Sequence, residues 1–487
     1  MSHQRRACLR AAALVGALPA VLALGCGEPK PTDGPNVLLI TVDTMRADRL
    51  GCYGYPVPTT PNLDRLAREG VLFADCTVQW PKTWPSMASL VTGAYPRTTG
   101  IQQAHRRLPG ALTVLSEVFG GAGYRTAAVV ANFNVGRALG FDQGFDHFVE
   151  SWQERWEREK GQVEYINRPG RVKEYTDAAT VSQQGLAWLN ESDPEQPYFL
   201  WLHYMDPHGP YVPPAPWSRT LEDVHPSEPV ALDLLPGYQV QQPDGYDGPI
   251  ADMGFYRTQY DREVLYFDAQ LGLLRQELEA AGLLDDTVII LSADHGESFD
   301  EHRYYLEHGK FAYQPTAHVP LIVQGSAARA GRVVRDAVGL IDVSATLPDL
   351  AGVPVPEQFE GRSLAPVALD EAGAELPPFV FVESGYVPGQ SQRVVREGRW
   401  KLIHVPAETD RSDMTGEELE LYDLETDPAE LVNVARDNPD VVRRLFAVLE
   451  QWYESGPDSV PVGEEIDLET LAPEAREMLE ALGYTGD

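Results

Sequence analysis

The sequence predicts an α/β fold with a mostly parallel central sheet. Three observations lead there. Nearly continuous apolar runs at 36–42, 198–203 and 286–292 suit strands buried on both faces. Helix-patterned stretches at 63–69, 112–122, 171–190 and 260–281 alternate with them. Chemically capable side chains stand just past the strand ends: Asp43 after the first, Asp206 and His208 after the second, Asp294 and His295 after the third. Ligands of open α/β sheets sit at the carboxyl ends of the strands, so these residues point to one site.

Taken in order, residues 1–25 read as an export signal. Arg5, Arg6 and Arg10 are basic, and 11–24 is apolar but short for a membrane span. Arg5-Arg6 loosely resembles a twin-arginine signal, and Leu24-Gly25-Cys26 resembles a bacterial lipobox, which implies a lipid on Cys26 and a membrane anchor. Residues 26–35 are a polar, Pro- and Gly-bearing tether. A large catalytic domain is expected over 36–370. Within it, 85–90 reads as a short helix with Pro in its first turn and Gly93 past its end. Residues 126–130 and 319–323 read as strands, and 213–254, rich in Pro, Asp and Gly, as an irregular insertion. A smaller C-terminal α+β subdomain is expected over 371–487. Its strands are read at 379–383 and 400–403, and its last helix at 439–452 with Asn438 as N-cap.

Charge narrows the partners. Lys+Arg is 39 and Asp+Glu is 73, a formal net charge of -34. Nucleic acid is excluded as a partner on this balance. An anionic substrate meets a repulsive overall field and needs local cations, most simply a divalent metal. Beyond Cys26, only Cys52 and Cys76 remain after the signal, too few for a disulfide scaffold, and spacing leaves their pairing open.

The segment Lys82-Thr83-Trp84-Pro85-Ser86-Met87, followed by Thr92-Gly93 and Pro96, carries the chemistry. It resembles the nucleophile motif of the sulfatase family, in the alkaline phosphatase superfamily. Asp294-His295-Gly296-Glu297 resembles that family's metal pair, and the 420–430 stretch its C-terminal signature. The resemblance implies a three-layer sandwich around a mostly parallel sheet. It also implies a metal held by Asp43, Thr83, Asp294 and His295. The ion is Ca, Mg, Mn or Zn, with one expected and a second possible.

Three departures shape the expected reaction. Thr83 occupies the position where sulfatases oxidise Cys or Ser to formylglycine; oxidising threonine gives a ketone. Thr44 stands where a second acid is common, and Met87 replaces the supporting Arg. Thr83 is therefore expected to act directly, activated by the metal and by a helix N-terminus. Ser86 matches a structural serine. The 203–211 loop resembles one offering a substrate-contacting His, here His208, and Lys310 lies where the family has a substrate-binding Lys. Two roles are open for the remainder. His208 and His308 protonate the leaving group, with Lys310 and Asp206 binding substrate; or Asp206, His208 and His308 hold a second metal, as in two-zinc phosphodiesterases. His302 and His318 read as surface residues.

The expected function is metal-dependent hydrolysis of phosphate or sulfate esters through Thr83, on a small-molecule, glycan or lipid-linked substrate. The rivals are sulfate ester hydrolysis without formylglycine, transfer to an acceptor alcohol, and a non-catalytic binding protein on the same fold. An exported, periplasmic or lipid-anchored protein of a bacterial envelope is expected.

Overall fold

The computed structural model describes residues 34–102, 106–152, 177–191, 193, 195–221, 224–241, 248–325, 328–385, 391–406, 418–456, 463–467, 470–471 and 476. The export segment, Cys26 and most of the tether lie outside them. Among the described residues no helix is long and apolar enough to cross a membrane.

Nine strands form the main sheet: β1 (Asn36–Val42), β2 (Val71–Thr77), β3 (Arg125–Val130), β4 (His147–Glu150), β5 (Tyr198–Tyr204), β6 (Thr287–Ala293), β7 (His318–Gln324), β8 (Arg332–Val334) and β9 (Val338–Gly339). The order is β4-β3-β5-β1-β6-β7-β2-β8, with β9 also on β2. Every pairing is parallel except the two made by β7. All seven residues of β1, β5 and β6 are buried, as strands covered on both faces must be.

The helices fall into two mutually packed groups, which make the outer layers. One holds α1 (Pro61–Glu69), α4 (Ala178–Asn190) and α5 (Met253–Ala280). The other holds α2 (Thr83–Thr92), α3 (Leu115–Gly121) and α6 (Val343–Leu350). Helix α5 begins seven residues before its apolar periodicity suggests, because Asp252 caps it by accepting from Gly254 N–H at 2.9 Å. The expected helix at 171–190 is described only from its later part, residues 171–176 lying outside the described set. Described residues of the 213–254 insertion hold only short 3₁₀ turns before α5 starts. Cys52 and Cys76 are free thiols.

The second sheet is antiparallel, in the order β10 (Val380–Ser384), β11 (Gln392–Glu397), β12 (Trp400–His404) and β13 (Leu419–Asp423). One face packs Val395, Leu402 and Leu421 against Leu445 and Leu449 of α7 (Pro439–Glu454). The other packs Val382, Val394, Ile403 and Tyr422 against Phe311, Ala312 and Tyr313 of the large domain. There Lys401, wholly buried, donates to Ala312 O at 2.6 Å and pairs with Glu430 at 2.6 Å. Asn438 takes the N-cap position of α7, but its amide donates to Val434 O at 3.0 Å instead of capping the helix.

Gly93 ends α2 in the left-handed region, φ +63, where a built Cβ would lie 2.5 Å from Phe359 Cγ and 2.7 Å from Ser344 Oγ. Gly93→Ala therefore incurs both backbone strain and overpacking, about 2–4 kcal/mol together. Denaturant unfolding should show a lowered midpoint at unchanged slope; an unaltered midpoint contradicts the packing described.

Candidate active site

Three strand ends, one strand interior and one helix start build the site. Asp43 follows β1, Asn132 follows β3, and Asp294 and His295 follow β6, while His203 lies within β5. Thr83 is the first residue of α2. Asp43, Asp294, His295, Thr83 and His203 are all 0% exposed.

Each carboxylate has one oxygen tied to the protein. Asp43 Oδ2 accepts from Asn132 Nδ2 at 2.5 Å, and Asn132 Oδ1 in turn accepts from Asn134 N–H at 2.9 Å, which fixes the amide's orientation. Asp294 Oδ1 accepts from the N–H groups of Thr44 at 3.1 Å and His295 at 2.7 Å. Thr44 makes its bond from φ 56, a costly conformation for a β-branched residue. The other oxygens, Asp43 Oδ1 and Asp294 Oδ2, are buried with no hydrogen-bond partner among the described residues.

His295 faces both open oxygens. Its Nδ1 lies 2.8 Å from Gly296 O, and a carbonyl only accepts, so Nδ1 carries the proton and Nε2 presents a lone pair. Burial, with His308 nearby, keeps this imidazole neutral well below its ordinary range. Around Nε2 lie Thr83 Oγ1 at 3.2 Å, Asp294 Oδ2 at 3.5 Å and Asp43 Oδ1 at 3.9 Å. Two carboxylate oxygens, an imidazole nitrogen and a hydroxyl thus converge, and the Asp43, Asp294 and His295 donor atoms lie within 4.8 Å of one another. This donor set fits a divalent cation. Electrostatics agree. Burial and the neighbouring Asp43 push the Asp294 carboxyl well above its usual range. Burial alone would raise Asp43 too, but the imidazoles of His208, His203 and His295 hold it below.

The start of α2 settles a question the sequence leaves open. Thr83 does not cap the helix; Lys82 takes the N-cap position, without a side-chain cap bond. Thr83's hydroxyl is turned to His295 instead. Ser86 has a structural task, donating to Asp294 O at 2.5 Å. Met87 is fully buried and brings no charge.

A second group of imidazoles adjoins the first. The His308 ring centroid is 4.2 Å from that of His295 and 5.4 Å from that of His208. His208 Nδ1 donates to Gly209 O at 2.7 Å. His308 Nδ1 lies 2.9 Å from Glu297 Oε1, while Tyr211 OH donates to Glu297 Oε2 at 3.0 Å. Burial raises Glu297 to about 7, against the pull of His208 and Tyr211. Arg46 ties the loop after β1 to the loop after β6, donating to Glu297 O at 2.9 Å and Glu301 at 2.8 Å.

Other expected residues fall elsewhere. Asp206 Oδ2 accepts from Ala178 N–H at 2.8 Å, at the start of α4, so its carboxylate serves a helix end. Lys310 is half-buried, its ammonium 5.3 Å from the Phe311 ring centre, and its charge bears on Glu307. His302 stacks on Tyr313 at 3.6 Å and His318 Nε2 donates to Ala74 O at 3.1 Å, both apart from the cluster.

The sequence reading missed His203, Asn132, Glu297 and Lys82. Trp201 Nε1 donates to Thr41 Oγ1 at 2.8 Å, leaving the Thr41 hydroxyl to meet His203 Nδ1 at 2.8 Å. His203 Nε2 then faces Asp43 Oδ2 at 3.8 Å. Lys82 is 8% exposed, and burial lowers its ammonium to about 8 despite the opposing pull of Glu307, Glu297 and Asp43. Its one sequence signal is a lysine directly before Thr83.

The sulfatase family model matches residues 35–353. The chain belongs to the sulfatase family. A second model, N-sulphoglucosamine sulphohydrolase, C-terminal, matches 300–454. Arylsulfatase K of Homo sapiens is 26% identical over 465 residues, covering 88% of this chain and 84% of that protein. N-acetylglucosamine-6-O-sulfatase of Bacteroides thetaiotaomicron is 24% identical over 532 residues, covering 91% of each. Among solved structures, the phosphonate monoester hydrolase of Agrobacterium radiobacter has a TM-score of 0.70 at 23% identity, covering 87% of this chain and 96% of that one. A 2-O GAG sulfatase has a TM-score of 0.68 at 22% identity, covering 91% and 96%. This chain is an ester hydrolase of the sulfatase type.

A cation entering the site would compete with any proton on the Asp294 carboxyl, which burial and Asp43 push above its usual range. Binding should release up to about one proton per ion and strengthen as pH rises. Calorimetry of Mn²⁺ binding in buffers of different ionisation heat, at pH 6 and pH 8, measures both. Affinity independent of pH, with no proton released, would show that Asp294 holds no proton for the ion to displace.

Proposed function

We propose that this protein is a metal-dependent hydrolase that cleaves phosphate or sulfate esters with Thr83 as its nucleophile. The observation that supports it best is the Thr83 hydroxyl 3.2 Å from His295 Nε2, at a buried helix start, beside the open oxygens of Asp43 and Asp294. Asp43, Asp294, His295 and Thr83 would hold the cation. When bound, it supplies Lewis-acid charge that makes the Thr83 hydroxyl more acidic. The imidazole nitrogen favours Mn or Zn over Ca, which prefers all-oxygen sites.

The chain's own groups do the rest. The first N–H groups of α2 have no intrahelical acceptor, so they favour negative charge on Thr83 Oγ1. Thr83 Oγ1 passes its proton to the free Nε2 of a neighbouring imidazole, His208 or His308, and attacks phosphorus or sulfur. A threonine ester forms as the bond to the substrate alcohol breaks. His208 and His308 hold their Nδ1 atoms against Gly209 O and Glu297, so Nε2 is the nitrogen that takes the Thr83 proton and passes it to the departing oxygen. The same nitrogen then takes a proton from the water that hydrolyses the threonine ester.

Phosphoryl transfer is the preferred reading, because an unoxidised threonine cannot form the aldehyde hydrate. Sulfuryl transfer is the second reading, favoured by the sulfatase names of the curated relatives. Those names also favour a sugar-linked ester over a lipid-linked one.

Thr83→Ala should abolish turnover of 4-nitrophenyl phosphate and sulfate, by several powers of ten at ~1.4 kcal/mol each. Stability should change by less than ~1 kcal/mol, since no cap bond is lost. Melting and kinetics measured together separate the two. Full activity in folded Thr83→Ala would refute the mechanism.

We also propose that the protein is exported and carried on the membrane by a lipid at Cys26, from the Leu24-Gly25-Cys26 pattern. Cys26→Ala should move from the membrane fraction to the soluble one. Unchanged fractionation counts against the anchor.

A further inference from the structure

Lys82 breaks a local rule at the position where the reaction would occur. It stands at the N-cap of α2 with extended backbone, φ -150 and ψ 143. An ammonium cannot accept from the helix N–H groups, and the helix dipole opposes a positive charge there. Burying it adds a desolvation cost. Lys82 is nevertheless only 8% exposed. Such violations of local preference concentrate at functional sites.

The side chain is directed along the wall of the site. A Cβ built at Gly309 would come within 2.8 Å of Lys82 Cδ, so the stem crosses the loop where it has no side chain. Gly309 adopts φ +97, and it separates His308 from Lys310. The acids whose fields act on Lys82 are, in order, Glu307, Glu297 and Asp43, and the Lys82 charge in turn bears on His308. From its place beside Thr83 the stem thus reaches the residue that follows His308. One helical turn on, the fully buried Met87 offers no charge. In a chain of net charge -34, an anionic ester needs a cation at this spot.

We propose that Lys82 is a catalytic residue that binds a non-bridging oxygen of the phosphoryl or sulfuryl group attacked by Thr83, and offsets the negative charge gathering there. This rests on the ester-hydrolase reading above. The ammonium stays protonated throughout and makes no covalent bond.

The test uses the metal-loaded full chain, its Lys82→Met and Lys82→Arg variants, and orthovanadate as an oxyanion probe. Lys82→Met should lower kcat/KM for 4-nitrophenyl phosphate about a hundredfold or more. By calorimetry its vanadate affinity should fall at least about tenfold, with bound metal unchanged and a melting temperature that holds or rises. Lys82→Arg should recover part of both. A purely structural lysine gives the opposite pattern, a lower melting temperature with vanadate affinity intact, and overturns the assignment. If Lys82→Met does not fold, Lys82→Gln reads the same quantities.

The two readings can fail separately. A wild-type protein that cleaves no ester, yet binds vanadate through Lys82, removes the hydrolase reading and keeps the lysine. Wild-type turnover with vanadate affinity within twofold in Lys82→Met removes the lysine alone. A wild-type protein that binds no vanadate also removes the lysine.

Discussion

Two carboxylates, Asp43 and Asp294, are buried side by side at adjacent strand ends, each with one oxygen left open. Like charges in a dry site cannot both ionise without a counter-charge. The remainder of the site follows from this constraint. The His295 tautomer, fixed by Gly296 O, turns its lone pair toward the open oxygens. The constraint also gives a reason for the strained Thr44, whose N–H steadies Asp294, and for Asn132, which steadies Asp43. The sheet order makes the constraint possible: β1 lies between β5 and β6, so Asp43 meets His203 on one side and Asp294 on the other.

The groups that hold these carboxylates and loops in place are ordinary side chains. Trp201, Thr41 and His203 form a chain of hydrogen bonds behind Asp43. Arg46 fastens the loops after β1 and β6 together, so that metal ligands and imidazoles keep a common frame. Such supports decide ligand orientation as much as the ligands themselves.

Much of this was legible in the sequence, and the illegible parts share a cause. Asp43 and Asp294 could be read because each follows an apolar run, His295 because it follows Asp294, and Thr83 from the resemblance of its segment to the sulfatase motif. His203 could not, since a histidine within a seven-residue buried strand looks like core. Asn132 and Glu297 gain meaning only from the order of strands in space, which no local pattern encodes. Asp206 has a task that its loop pattern did not show, an oxygen accepting at the start of α4. Strand β2 went unread because Gly70 alone separates it from α1, too little punctuation to mark a new element.

The antiparallel C-terminal sheet grips Phe311, Ala312 and Tyr313, three residues beyond His308, and Lys401 and Glu430 lock that grip with a fully buried pair. The second family match begins at residue 300, so it takes in this loop together with the sheet that holds it. The catalytic machinery is therefore not modular along the chain. A fragment ending before β10 would retain Thr83, Asp43, Asp294 and His295 but lose the sheet that holds the loop after His308. On the proposed mechanism, grafting the C-terminal sheet from a relative would change how fast an alcohol departs, even though no residue of that sheet has been assigned to touch it.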